Sequence, residues 1–219
     1  MSLSADKNGA ANDWVLPLLT RLAPVPRREW VYFERRLRFE SLAPQQALTR
    51  AGEVADRLGF VVRGLIRKLH VSERGKRLVR GFGGPGSVVG AYASLLTQQP
   101  SHLRVEAVEP SDLFVLPWSE LETLYARHVC WQVIGRRLAE QNLVEREQRA
   151  HELLTASATE RYRRFCETHR ELLPRLHDYD IASYIGVTPV SLSRLRARGR
   201  TGPRAHDSSQ LQSSTPERA

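Results

Sequence analysis

The stretch Asp180-Ile-Ala-Ser-Tyr-Ile-Gly186-Val-Thr-Pro-Val-Ser-Leu-Ser-Arg194-Leu-Arg196 holds the side chains of this 219-residue chain whose types and spacing could do chemistry. It reads as two short helices joined by a tight turn. Gly186 stands where the turn needs a positive φ. Ala182 is small, as required where the second helix crosses closely over the first. Ile181, Ile185, Val187, Leu192 and Leu195 are spaced to lie inside the two-helix corner. Thr188 can cap the second helix, and Pro189 fits its first turn. The face left outside carries Val190, Ser191, Arg194 and Arg198. Such a face suits reading base edges in a major groove, with the helix N-terminus toward phosphate. An ordinary helical corner with solvated arginines is the plainer alternative. The agreement of small residue, turn glycine, five core positions, cap and arginine favours DNA.

The whole-chain charge points the same way. Lys plus Arg number 33 against 24 Asp plus Glu, a formal charge of +9. Only Lys7, Lys68 and Lys76 are lysine, so the excess is almost all arginine. Arginine keeps its charge and binds phosphate bidentately, which suits a polyanionic partner. Charge alone does not separate nucleic acid from a membrane surface. Hydrophobic residues make up 41% and charged residues 26%, ordinary for a globular protein of one large or two small domains.

Several classes drop out. Cys130 and Cys166 are the only cysteines, which excludes a disulfide scaffold, a zinc ribbon or a cysteine-held iron–sulfur cluster and fits a reducing compartment. No apolar run reaches the roughly 18–20 residues of a membrane helix. The polar Met1–Asn12 segment and the short run Trp14–Leu19 do not read as a signal peptide, so a cytoplasmic location is expected. His70, His102, His128, His151, His169, His177 and His206 form no close-spaced ligand set, so no metal and no cofactor are expected. No nucleophile elbow or phosphate-cradling glycine loop accompanies the Ser, His and Asp residues, so no enzyme is expected.

The elements that must position the reading face follow from texture. Residues 1–12 are small and polar, as in disordered segments. Trp14–Leu22 and Arg28–Arg35 can each form a short helix. From Arg38 to Leu116, short β-prone runs alternate with glycine-bearing turns: Leu58–Val62, Leu65–Val71, Arg77–Phe82, Leu103–Val108 and Leu113–Leu116. Gly81 to Gly86 crowd a bend. Many short strands with turn signals suggest an antiparallel barrel or sandwich. From Pro117 the texture is helical. Cys130–Leu154 is one long helix with an apolar seam at Trp131, Ile134 and Leu138, and Thr159 caps a further helix that runs to Leu173 and is ended by Pro174. Arg161, Arg163 and Arg164 on that helix offer contacts to a DNA backbone or a solvated face. Cys166 reads as a small core residue. Residues 199–219 have the composition of a disordered tail.

With these residues in view, the sequence resembles the Crp/Fnr family of bacterial transcription regulators over about Asp13 to Arg198. Ile181–Pro189 followed by Leu192-Ser-Arg-Leu-Arg196 is the most specific part. Leu48-Thr-Arg-Ala-Gly52-Glu with Leu58–Gly64 resembles the family's strand–turn–strand opening, and Pro85–Gly90 the start of its ligand-holding loop. The resemblance implies an α+β chain. An N-terminal antiparallel β-roll (a double-stranded β-helix of cyclic-nucleotide-binding type) with flanking helices would span 13–127. A dimerisation helix would span 128–155, an all-α helix-turn-helix head 156–200, and a tail 201–219.

It also implies roles. Arg194 matches the family's main base-reading arginine, Ser191 a base or phosphate contact, and Val190 replaces the usual acidic reader. The expected DNA-facing set is Thr188, Pro189, Val190, Ser191, Ser193, Arg194 and Arg198. The effector pocket maps onto Gly90, Ala91, Tyr92, Ser101, His102 and Arg104. Ala91 stands where members that bind cyclic AMP carry a ribose-holding Glu, and Ser101-His102 where they carry the phosphate-clamping Arg and its partner. Both charge-assisted contacts are missing, so no response to cyclic AMP is expected. The family's second wing has no counterpart after Arg198. The implied partners are a palindromic double-stranded DNA operator, a second copy of the chain, an effector of unknown identity and RNA polymerase; no membrane is involved. The alternative is a ligand-sensing or scaffolding dimer with a degenerate head.

Overall fold

The computed structural model describes the backbone of residues 7–72 and 75–200, and the side chains of residues 11–72 and 75–197. The expected tail at 201–219, with the place of the second wing, lies outside the described residues.

Two helices open the chain, α1 (Lys7–Thr20) and α2 (Arg27–Glu34). Helix α1 starts inside the segment expected to be disordered. Its apolar stripe explains this: Ala11, Val15 and Leu19 recur every fourth residue and are all buried, so tertiary packing orders a stretch whose composition is polar. Pro17 sits within α1 and withholds the donor for the carbonyl four residues earlier, and the buried stripe tolerates that loss.

Eight strands follow: β1 (Arg38–Leu42), β2 (Ala47–Thr49), β3 (Arg57–Arg63), β4 (Ile66–Val71), β5 (Arg77–Gly83), β6 (Val88–Val89), β7 (Leu103–Ala107) and β8 (Ser111–Pro117). They form two antiparallel four-stranded sheets, in the orders β1-β8-β3-β6 and β2-β7-β4-β5. The core between them holds Leu48, Val61, Ile66, Val105, Leu113 and Val115. The alternate residues Phe60, Val62, Phe114 and Leu116 face the other way, into a second cluster with α1, α2 and Trp131. Period-two alternation with both faces covered explains why β3 and β8 read as nearly continuous apolar runs. Gly64 turns the chain from β3 into β4 at φ +93°, against the Ser111 backbone, where a Cβ would collide. Gly81 and Gly83, expected in a bend, lie within β5; the turn itself is Gly84-Pro85-Gly86.

Helix α3 (Tyr92–Thr97) lies between β6 and β7, and α4 (Trp118–Arg127) leads into α5 (Val129–Thr155). Helix α5 runs 27 residues, as its strong helix formers predict, and the His128 ring accepts from the Cys130 amide at its start. Helix α6 (Ala158–Thr168) is capped by Ser157, not Thr159. Ser157 and Glu160 form a reciprocal capping box, which places the start two residues earlier. The helix stops at Thr168 rather than Leu173, and a 3-10 turn, Leu173–Arg175, carries the Pro. Helices α7 (Asp178–Ile185) and α8 (Pro189–Arg200) complete the chain.

Candidate nucleic-acid interface and effector cleft

The α7–α8 corner is built as its sequence dictates. Gly186 takes φ +70°, ψ +39°, and the Val187 amide reaches back to the Ala182 carbonyl at 2.9 Å, closing a Schellman-type end. Arg161 Nε donates to the Ile185 carbonyl at 2.8 Å and its Nη1 to Ala156. Arg161 therefore braces the turn instead of facing DNA. Arg163 pairs with Glu167 and Arg164 with Glu152. Ile181, Ala182, Ile185 and Leu192 are fully buried, with Val187 and Leu195 packed against them. Thr188 Oγ1 accepts from the Ser191 amide at 3.2 Å, the cap that starts α8.

The outer flank of α8 presents Val190, 62% exposed, with Ser193 and Arg194. No described residue hydrogen bonds or ion pairs with the Arg194 side chain. Ser191 is half-buried, and its hydroxyl meets the Thr188 hydroxyl at 3.0 Å. Arg196 is held by Asp178 and the Tyr162 hydroxyl. The Arg198 side chain lies outside the described residues. Cys166 is half-buried near Tyr162, and Cys130 is buried.

Sequence reasoning missed the junction between this head and the sheets. Arg67 on β4 is 3% exposed and donates to both carboxylate oxygens of Asp180, in the first turn of α7, at 2.8 Å. It also bonds Glu106 on β7 and the Tyr179 hydroxyl. Arg77 and Arg104 converge on the same Glu106. Burial opposes ionisation of Glu106, but hydrogen bonds from Arg104 and Arg67 and the charge of Arg77 hold its carboxyl below the usual range. Burial pushes Asp180 up despite the opposing charges of Arg67, His177 and Arg77. Beside this network, the Val79 amide donates to Ser183 Oγ at 2.9 Å, and that hydroxyl donates to the Arg77 carbonyl at 3.1 Å. Leu65 and Phe82 of the sheets share one cluster with Phe165, Leu176, Ile181 and Ile185. An arginine, a glutamate and an aspartate far apart in sequence carry no local signal of their meeting.

Five of the six expected effector residues, Gly90, Ala91, Tyr92, Ser101 and His102, line one cleft of about 360 Å3. Arg104 is not among its walls; it is bound to Glu106 and the Gln45 carbonyl. Ser101 Oγ is tied to the backbone of Leu103. The cleft gains Lys68, Arg80 and Arg146, which the sequence did not single out. Among the described residues no group of three or more His, Cys, Asp or Glu could hold a metal ion, and no helix is long and apolar enough to cross a membrane.

Residues 39–128 match the cyclic nucleotide-binding domain family. The chain is 27% identical over 172 residues to the anaerobic regulatory protein of Pasteurella multocida, covering 74% of this chain and 62% of that protein. It is 27% identical over 164 residues to the fumarate and nitrate reduction regulatory protein of Yersinia pestis, covering 70% and 65%. The aligned part thus spans less than two thirds of these curated relatives. Among solved structures, FixK2 from Bradyrhizobium japonicum aligns with a TM-score of 0.66 at 26% identity, over 75% of this chain and 85% of that one.

Proposed function

We propose that this chain belongs to the Crp/Fnr family of regulators and is a dimeric, sequence-specific DNA-binding transcriptional regulator that works in the cytoplasm without responding to cyclic AMP. We divide it accordingly into a β-roll with flanking helices (13–127), a dimerisation helix (128–155) and a DNA-binding head (156–200).

The observation that carries the reading is the outer flank of α8. Its inner face is buried and its cap is in place, so the flank is held rigidly, and Arg194 projects from it with no described partner. An unengaged arginine on an anchored helix is free to bond a guanine edge. Val190 beside it suits a thymine methyl. Thr188, Pro189, Ser191, Ser193 and Arg198 complete the proposed contact set, with Ser191 turning its hydroxyl away from Thr188 to take part.

Dimerisation is supported by α5. Leu143, Val144 and Leu154 are all more than half exposed there, a costly arrangement for a lone helix and an ordinary one for a helix that meets a second copy. Two heads on such a dimer would enter major grooves about 34 Å apart, so the operator would be roughly palindromic. The absence of a cyclic AMP response is supported by Ala91, which offers no carboxylate, by the tethered Ser101 hydroxyl and by the engagement of Arg104.

The test is a gel shift with the chain's own upstream DNA against a scrambled duplex at fixed salt. Wild type is expected to prefer the upstream DNA. Arg194→Ala is expected to lose about 1–3 kcal/mol of that preference while keeping non-specific affinity. Equal binding of both duplexes by both proteins would overturn the reading.

A further inference from the structure

A second cleft, of about 260 Å3, opens where β4 and β5, the C-terminal half of α5, and helices α6 and α7 meet. No residue of α8 lines it, and its inner wall is Phe82, Phe165, His169 and Tyr184 rather than the loop at Gly90–His102. Six basic side chains line it. Arg161 and Arg164 are engaged by the Ile185 and Ala156 carbonyls and by Glu152. Of the other four, Lys68, Arg80 and Arg146 also line the Gly90–His102 cleft, whereas Arg149 belongs to this one. Lys68 and Arg80 come from paired strands; Arg146 and Arg149 lie one turn apart on α5. Gly81 faces Lys68 across the ladder, and the Lys68 Cε lies 3.4 Å from where a Cβ on Gly81 would sit, so the bare glycine lets the lysine lie across β5. Arg149 sits over the Tyr184 ring at 3.8 Å.

Among the described residues, no carboxylate comes within ion-pairing distance of these four groups. The acids on this side are Glu145 and Glu152, and Glu152 is already paired with Arg164. Burial pushes Lys68, Arg80 and Arg149 below their ordinary values; Glu145 offsets part of this at Lys68, and Tyr184 and Glu152 part of it at Arg149, while Arg80 acts on Lys68, Arg146 on Arg80, and Arg161 and Arg80 on Arg149 in the lowering sense. Surface arginines avoid such crowding by spreading into water. Six basic side chains against two carboxylates, with four of the six in no ion pair among the described residues, leave this concave, half-buried place with an excess of positive charge complementary to a compact anion of more than one charge.

We propose that this cleft is a binding site for a phosphate-bearing small molecule carrying at least two negative charges. The volume lies just below the roughly 300–1,000 Å3 typical of small-molecule pockets, which suits a compact phosphorylated metabolite. The walls belong to the β-roll, to α5 and to the head, so a bound anion bridges all three and favours the head's docked position. The site stands without the DNA-binding reading; only the effect of that docking on an operator rests on it.

The test is calorimetry and thermal melting of the full chain with inorganic tripolyphosphate as probe, at about 0.15 M salt and without DNA. Wild type is expected to give saturable single-site binding and a raised melting temperature. Arg80→Gln and Arg149→Gln are each expected to weaken it about tenfold, the scale of one charge-assisted contact, and Arg149→Lys to restore part of it. His102→Ala, in the neighbouring cleft, and Arg163→Gln, whose arginine is paired elsewhere, are expected to bind like wild type. Melting without probe confirms that each variant is folded. Failure to saturate at millimolar probe, unchanged affinity in the folded Arg80 and Arg149 variants, or loss confined to His102→Ala would each overturn the site. So would variants that lose DNA affinity but keep tripolyphosphate, which would assign the cluster to a DNA backbone. Absence of sequence-specific DNA binding by wild type, with its tripolyphosphate binding intact, would sink the DNA-binding reading alone.

Discussion

Arg67 Nη1 donates to both carboxylate oxygens of Asp180 at 2.8 Å, across 113 residues of chain, with both side chains almost wholly buried. One guanidinium thus ties the middle of β4 to the first turn of α7, the helix that precedes α8. Removing one partner of a buried pair leaves an uncompensated charge, which costs about 3–5 kcal/mol. Arg67→Ala strands Asp180 and takes one of three arginines from Glu106. It is expected to lower stability in urea unfolding by that amount, or to release the head, seen as a larger radius in small-angle scattering. A variant unchanged in both would show that the network carries no weight.

Gly186 holds the corner between the two head helices at φ +70°. A Cβ there would meet Leu153 Cδ2 at 3.2 Å in addition to the backbone penalty. Gly186→Ala is expected to destabilise by roughly 1–2 kcal/mol. Chemical denaturation checks this, and specific DNA affinity is expected to fall with it because α8 is displaced.

His169 is enclosed by Phe82, Phe165 and Tyr184, with ring centroids 4.9–6.1 Å away, and burial followed by the Arg149 charge pushes its pKa below the ordinary value. As pH falls below about 6.5 the unfolded chain takes up this proton before the folded one does. Stability is therefore complete above that pH and declines on acidification toward the lowered native value. Melting temperature measured from pH 7 to pH 5 is expected to fall less steeply in His169→Gln than in wild type. Glu106, held low by its arginines, titrates in a separate window below about 4.5, so the two do not mask one another. Parallel slopes in the two proteins would contradict the assignment.

Leu143 and Leu154 stand 58% and 86% exposed on α5. Leu143→Glu or Leu154→Glu is expected to shift sedimentation from dimer toward monomer, because a carboxylate in an apolar seam must be desolvated. Operator affinity is expected to fall in step, since paired half-sites need paired heads. Unaltered sedimentation in both would place any dimer seam elsewhere.

The α7–α8 corner was legible because its determinants are local. Gly186, Ala182 and the apolar spacing from Ile181 to Leu195 act over a few residues, and the structure places each where that spacing requires. The strands were legible for a similar reason, since short apolar runs such as Leu58–Val62 and Leu113–Leu116, set off by turn residues, mark them locally. What failed was set by distant packing or by competition between near-equal signals. Polar composition hid α1, whose order comes from Ala11, Val15 and Leu19 meeting the sheet-covering cluster. Thr159 and Ser157 are both capping residues, and only the reach of Glu160 decides between them. Arg161 looked like one of three equivalent arginines until the Ile185 carbonyl singled it out. The convergence of Arg67, Glu106 and Asp180, and of Lys68 and Arg80 with Arg146 and Arg149, depends on how separate elements stack, and no window along the chain contains it.

The Ser183 hydroxyl, placed on the backbone of Val79 and Arg77, has a cost that shows only when it leaves. Strand β5 is the last of its sheet, and α7 shields its outer ladder. A head that swings off would unmask raw hydrogen-bonding groups ready to recruit a stranger's strand. A liberated head is therefore expected to leave the chain prone to edge-to-edge association.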